Sequence, residues 1–195
     1  MRPIVITVVC LGLATTAARA EDRRQHDAHE HGHASMQVVL EGDELSINIE
    51  APGMDIVGFE HAPKGDAEKG RIQQAVGQLE NMKAMFSLPE KALCSFTEAH
   101  AEHASLEADK DDGHSDHKDA QKPSDNKDSH KDKASNHSVF HAHYAWRCKE
   151  PEALGYIEAR YFEVFPATAE IEALIIGPNG QSAQELTAKS ARIKF

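Results

Sequence analysis

The stretch from residue 109 to residue 137, DKDDGHSDHKDAQKPSDNKDSHKDKASNH, contains no Val, Ile, Leu, Met or aromatic side chain. Such a segment has no apolar surface to bury, so nothing offsets the entropy lost on ordering it, and it is expected to be disordered. Any fold must therefore form from the residues on either side and tolerate a long polar insertion.

The flanks are suited to this. Residues 94–107, CSFTEAHAEHASLE, and 138–148, SVFHAHYAWRC, read as two long strands. Phe140, Ala142, Tyr144, Trp146 and Cys148 share one face by period-two alternation, which marks the core side. If Cys94 lies opposite Cys148 in an antiparallel pair, Phe96 falls opposite Trp146 and the insertion leaves at the far end of the hairpin. After the first twenty residues these are the only two cysteines, and in an oxidising compartment two cysteines read as one disulfide. Such a bond would restrain a loop of over ~50 residues, with a chain-entropy contribution near 4 kcal/mol at most. A metal site using both thiolates is the rival reading, although neither cysteine lies in C-x-x-C spacing.

Upstream, SMQVVL-EGDE-LSINIEA reads as a β-hairpin. Met36, Val38 and Leu40 alternate on one strand and Leu45, Ile47 and Ile49 on the next, around a Gly42-Asp43 turn. APGMDIVGFEHAPKG reads as a loop. From Asp66 to Phe86 the period becomes helical through Ile72, Val76, Leu79, Met82 or Lys83, and Phe86, with Asp66 as candidate N-cap and Pro89 beyond the end. Gly70 and Gly77 each weaken that helix by up to ~1 kcal/mol, so it depends on tertiary packing. The C-terminal part gives two or three further strands, with a turn at Pro178-Asn179-Gly180. Without tail and insertion roughly 130 residues remain, enough for one core. The expected fold class is α+β: a single domain over residues 35–195, dominated by antiparallel sheet, with one amphipathic helix packed on it and a disordered insertion at about 109–137.

The first twenty residues, MRPIVITVVCLGLATTAARA, have the layout of a secretory signal peptide: Arg2, an apolar run from Ile4 to Leu13, and an A-x-A site ending at Ala20. The run is too short for a membrane span, although an uncleaved anchor is the rival reading. Cleavage after Ala20 leaves an exported, soluble chain with a His-rich tail at 21–34, and loss of Arg2 and Arg19 takes the formal net charge from −11 to −13. That balance argues against nucleic acid and anionic membranes as partners and suits cations.

Thirteen histidines are clustered along the chain, interleaved with Asp and Glu. Imidazoles with carboxylates suit Zn2+, Ni2+ or Cu2+, and affinity order alone does not choose among these. His114, His117 and His130 lie on the insertion, where binding must offset ordering entropy and so is weaker. His141 and His143 share one strand face, about 7 Å apart. His100 and His103 come from the partner strand. With His29, His31 and His33, or with Glu60 and His61, these compose a candidate ordered site. His61 before Pro63 also reads as a turn residue, and His141 and His143 also read as an exposed strand face.

Residues 29–33, HEHGH, match the H-E-x-x-H pattern of zinc proteases. That chemistry needs a helix to place both histidines on one face, plus a third ligand and a pocket. Here Gly32 interrupts the pattern, no apolar helical period surrounds it, and a hairpin follows at once. No nucleophile–base set stands out elsewhere, so an enzyme is not expected.

HEHGHASMQVVLEGDELSINIEAPGMDIVGFEHAP resembles the N-terminal hallmark of the ZrgA-like zinc-regulated periplasmic proteins of Gram-negative bacteria. FHAHYAWRC, FEVFP and IIGPNGQSAQEL resemble the rest of that pattern, which carries a His/Asp-rich insertion between its halves. The resemblance spans nearly all of the chain after the leader, and GFEHAP is its most specific part. It implies periplasmic Zn2+ binding in support of a zinc-import ABC transporter. The H-x-H-G motif falls on His29 and His31, FEH on Glu60 and His61, and the histidine ahead of the aromatic strand on His137. His33, His141 and His143 are not fixed positions of the pattern. The family's insertion is often a dense H-D-H-D run; here lysines dilute it, which implies fewer or weaker ions on the loop. Two other readings stay open: a nickel or copper buffer for envelope metal tolerance, and a non-metal interaction module whose sheet binds a partner protein.

Overall fold

The computed structural model describes residues 31–106 and 137–195, except the side chains of Leu106 and His137. The expected leader, His29, and His114, His117 and His130 of the expected insertion lie outside the described residues. In chain order the elements are β1 (His33–Glu41), β2 (Glu44–Pro52), α1 (Gly53–Val57), α2 (Gly65–Leu79), α3 (Met82–Met85), β3 (Phe86–Ser87), β4 (Cys94–Leu106), β5 (His137–Cys148), β6 (Tyr156–Ala159), α4 (Tyr161–Val164), β7 (Glu170–Gly177), β8 (Gly180–Thr187) and β9 (Arg192–Lys194).

About half of the described chain is strand, gathered into one sheet-dominated body with few helices. A six-stranded sheet runs β4-β5-β2-β1-β7-β8, and a small sheet runs β3-β6-β9. Neighbours in the large sheet are antiparallel apart from β1 and β7, which are parallel. Alternation decides its inner face: Met36, Val38 and Leu40, then Leu45, Ile47 and Ile49, then Ile171, Ala173 and Ile175, are all buried. Phe140, Ala142, Tyr144, Trp146 and Cys148 extend that buried face along β5. Phe86 meets Tyr144 and Trp146 edge-on at 5.1 and 6.0 Å, which joins the small sheet to the large one.

Cys94 pairs with Cys148 and Phe96 with Trp146, the register read from the sequence. Cys94 and Cys148 are disulfide-bonded, 54 positions apart in the chain. A bulge between Phe96 and Glu98 shifts the rest of β4 by one residue relative to simple alternation.

Two local expectations change. The stretch expected as a loop contains α1, ended by Gly58 in the left-handed region (φ 81°). The expected helix from Asp66 to Phe86 breaks after Leu79. Asp66 lies in its first turn rather than at its cap, α3 follows, and Phe86 has left the helix to pair with Ala159. The apolar spacing ran through two separate helices because both bury residues in one core. Leu79 is buried in that core and its carbonyl accepts the Tyr144 hydroxyl at 2.6 Å, a tertiary stop the period does not encode.

Candidate metal site

Gly32 stands just before β1 with φ 87°, a conformation that favours glycine. Its carbonyl accepts the N–H groups of Ala169 and Glu170 at 2.8 and 2.9 Å, and its N–H donates to Oδ1 of Asp55 at 2.8 Å. The clamp sets the flanking histidines beside carboxylates. His31 Nε2 lies 3.2 Å from Glu60 Oε1, and His33 Nδ1 faces Glu170 Oε1 at 4.0 Å. Asp55 itself is buried, brought inward by α1. Its Oδ2 has no well-aligned hydrogen-bond partner among the described residues, although the Thr168 side chain lies near enough to favour the charge. Burial pushes the Asp55 pKa up, opposed by the Gly32 N–H, by His31 and by Thr168.

A few residues on, His61 meets Phe59 edge-on at 5.0 Å, and its Nε2 lies 3.6 Å from Glu68 Oε1. Glu68 also accepts the Lys64 N–H, so the first turn of α2 holds the carboxylate in place. Both residues of the G-F-E-H stretch thus pair, Glu60 with the segment before β1 and His61 with α2.

The second group lies on the outer face of the large sheet, away from the core. Its cross-strand rows are set by register: His100, His143 and Asn48 in one, and Glu102, His141 and Glu50 in the next. Together they line one side of a shallow trough of about 540 Å³ that continues to Glu172 and Leu174 on β7. His143 Nδ1 is 2.8 Å from Asn48 Oδ1, His141 Nδ1 is 3.9 Å from Glu50 Oε2, and His100 Nδ1 is 4.0 Å from Glu80 Oε1. Glu80 follows α2 and also accepts the Ala101 N–H at 3.3 Å, which covers part of the open edge of β4.

His103 does not join this group. Three residues from His100 on a strand of period two, it turns to the inner face, tilted over Phe140 at 4.9 Å with Nε2 2.8 Å from Ser138 Oγ. Desolvation lowers its pKa. The backbone of His137 opens β5 opposite Leu106.

Asp55 and the carboxylates of Glu50, Glu68, Glu80, Glu102 and Glu170 were not singled out from the sequence. A lone acid between Met54 and Ile56 was the one available signal, for Asp55; the others become visible only through register and packing. Among the described residues no three His, Cys, Asp or Glu side chains converge as a ready metal cage. What recurs is a pair: His31, His33, His61, His100 and His141 each lie within 4.0 Å of a glutamate. His31 and Glu60 come closest, at 3.2 Å, and a carboxylate beside an imidazole is the arrangement found behind many metal-ligating histidines.

Fold and pairs together define a sheet-built protein that presents oriented imidazoles. The family described as ZrgA family zinc uptake protein matches residues 28–195, and the chain belongs to that family. The match takes in β1 to β9 whole and gives the chain a role in zinc uptake. No curated protein matches the chain. Among the described residues no helix is long and apolar enough to cross a membrane.

Proposed function

We propose that the chain is a periplasmic zinc-binding protein, exported by a leader cleaved after Ala20, that captures or buffers Zn2+ and assists its delivery to a zinc-uptake ABC transporter. Zinc is the cargo, and the role needs no catalytic step. The observation that carries the reading is the imidazole–carboxylate pairing in a chain of the zinc uptake family, above all His31 with Glu60 beside the buried Asp55. A divalent ion held there by His31 and Glu60 would also offset the cost of the buried Asp55 charge. His29 is the further imidazole that the H-x-H-G motif supplies. His114, His117 and His130 on the insertion gather the ion with lower affinity and fast exchange, and the folded histidines retain it.

Release follows from protonation, because an imidazole that carries two protons has no lone pair for a metal. Zinc affinity is therefore expected to fall steeply below about pH 6.5. The test is competition for Zn2+, Ni2+ and Cu2+ against a chromophoric chelator between about pH 5 and 7.5. Affinity that does not change over that range contradicts the release mechanism. Retention of nickel or copper against a matched excess of zinc points instead to an envelope buffer for those metals. No competition for any metal favours the interaction-module reading.

A further inference from the structure

β4 and β5 set four ligand-type residues in a two-by-two block on the outer face: His100 opposite His143, and Glu102 opposite His141. Directly opposed residues of an antiparallel pair have Cβ atoms about 5 Å apart, and diagonal neighbours are about 7–8 Å apart. Two imidazoles at the first spacing reach a common ion with Zn–N bonds of about 2.0 Å, and a third enters from the diagonal. The three rings also share one orientation. Each turns Nδ1 toward an oxygen outside the block: Asn48 Oδ1 for His143, Glu50 Oε2 for His141 and Glu80 Oε1 for His100. With the proton on Nδ1, the lone pair sits on Nε2, which has no partner among the described residues on any of the three rings. The block lines the trough and is open to solvent, so an ion has a way in.

We infer that His100, His141 and His143 bind one divalent cation through their Nε2 atoms, with the Glu102 carboxylate as fourth donor. Asn48 is a positioning residue that holds the His143 ring by its Nδ1, and Glu50 and Glu80, at 3.9 and 4.0 Å, favour the Nδ1 proton of His141 and His100 through their charge. The four side chains do not already form a closed cage, so binding requires side-chain rotation on a fixed sheet. The site is separate from the His31–Glu60 pair: its ligands lie on β4 and β5, and His31 lies before β1. The inference rests on the zinc-capture reading for the identity of the ion but not for the geometry.

The test is zinc titration of the full mature chain followed by imidazole nitrogen NMR shifts, repeated on His100→Ala/His143→Ala and on Glu102→Gln. In the unaltered chain zinc should shift the Nε2 signals of His100, His141 and His143 and leave their Nδ1 atoms protonated. The double variant should lose one equivalent of zinc per chain, and Glu102→Gln should weaken this equivalent several-fold while the histidine shifts persist. All three replaced positions lie on the outer face, so the buried core is unaltered. If the chain takes up zinc but these Nε2 signals do not move, or the double variant binds as many ions as before, the outer-face site is wrong and zinc capture stands. If the chain takes up no zinc, both fall.

Discussion

The N–H of Gly32 donates to Oδ1 of the buried Asp55 at 2.8 Å, and this bond ties the segment that carries His31 and His33 to the short helix after β2. Gly32 holds φ 87°, where an added Cβ costs roughly 1–2 kcal/mol. Gly32→Ala should lose about that much stability in urea denaturation and weaken zinc binding at His31. Unchanged stability would contradict the clamp.

Asp55 gives a prediction of opposite sign. Its pKa is raised by burial, so between the ordinary aspartate value, about 4, and the raised folded value the native state holds more proton than the unfolded chain. Stability contributed by the neutral form is therefore lost as pH rises through that window. Asp55→Asn keeps an acceptor for Gly32 without the charge. Without zinc the variant should match or exceed the unaltered chain in stability at pH about 7, yet hold zinc less tightly. A loss of more than about 2 kcal/mol in the zinc-free variant would mean that the charge itself supports the fold.

His103 works the other way. Its pKa is lowered by desolvation, so as pH falls below the ordinary histidine value, about 6.5, the unfolded chain takes up protons that the native state refuses. Stability present above that value declines as pH drops through the folded pKa. Thermal denaturation between about pH 7.5 and 5 should show this decline, and His103→Gln should flatten it. An unaltered slope would place the acid sensitivity elsewhere.

How much could be read in advance depended on which residues were local. Alternation around Gly42-Asp43 and along Phe140 to Cys148 located β1, β2 and β5 and their inner face, because a strand's period is a property of adjacent residues. The pairing of Cys94 with Cys148 followed from having two cysteines. The parallel pairing of β1 with β7 had no signal, since its partners are more than a hundred residues apart: Met36 lies beside Ala173. The sheet face of His141 and His143 was legible from their spacing, whereas grouping His100 with His103 ignored that same period. The carboxylates beside the histidines were hidden. Glu50 reaches His141, and Glu80 reaches His100, only once β2 and the end of α2 are packed against the hairpin.

The disulfide carries its own expectation. Because it closes a long loop at the base of β4 and β5, Cys94→Ser with Cys148→Ser should lower stability by about 2–4 kcal/mol in denaturant. Zinc binding by the insertion should be little affected. A variant as stable as the unaltered chain would show that strand pairing alone restrains the insertion.

At the centre of the proposed function stands zinc held by the folded histidines, and not only by the polar insertion. Its most direct test is a zinc titration against a competing chromophoric chelator, made on residues 21–195 beside a variant lacking 109–137. Survival of the tightest equivalents in the shortened chain, with only weaker ones lost, is the predicted result. If the deletion removes every equivalent, or if neither chain competes with the chelator, the folded histidines hold no zinc and the account is contradicted.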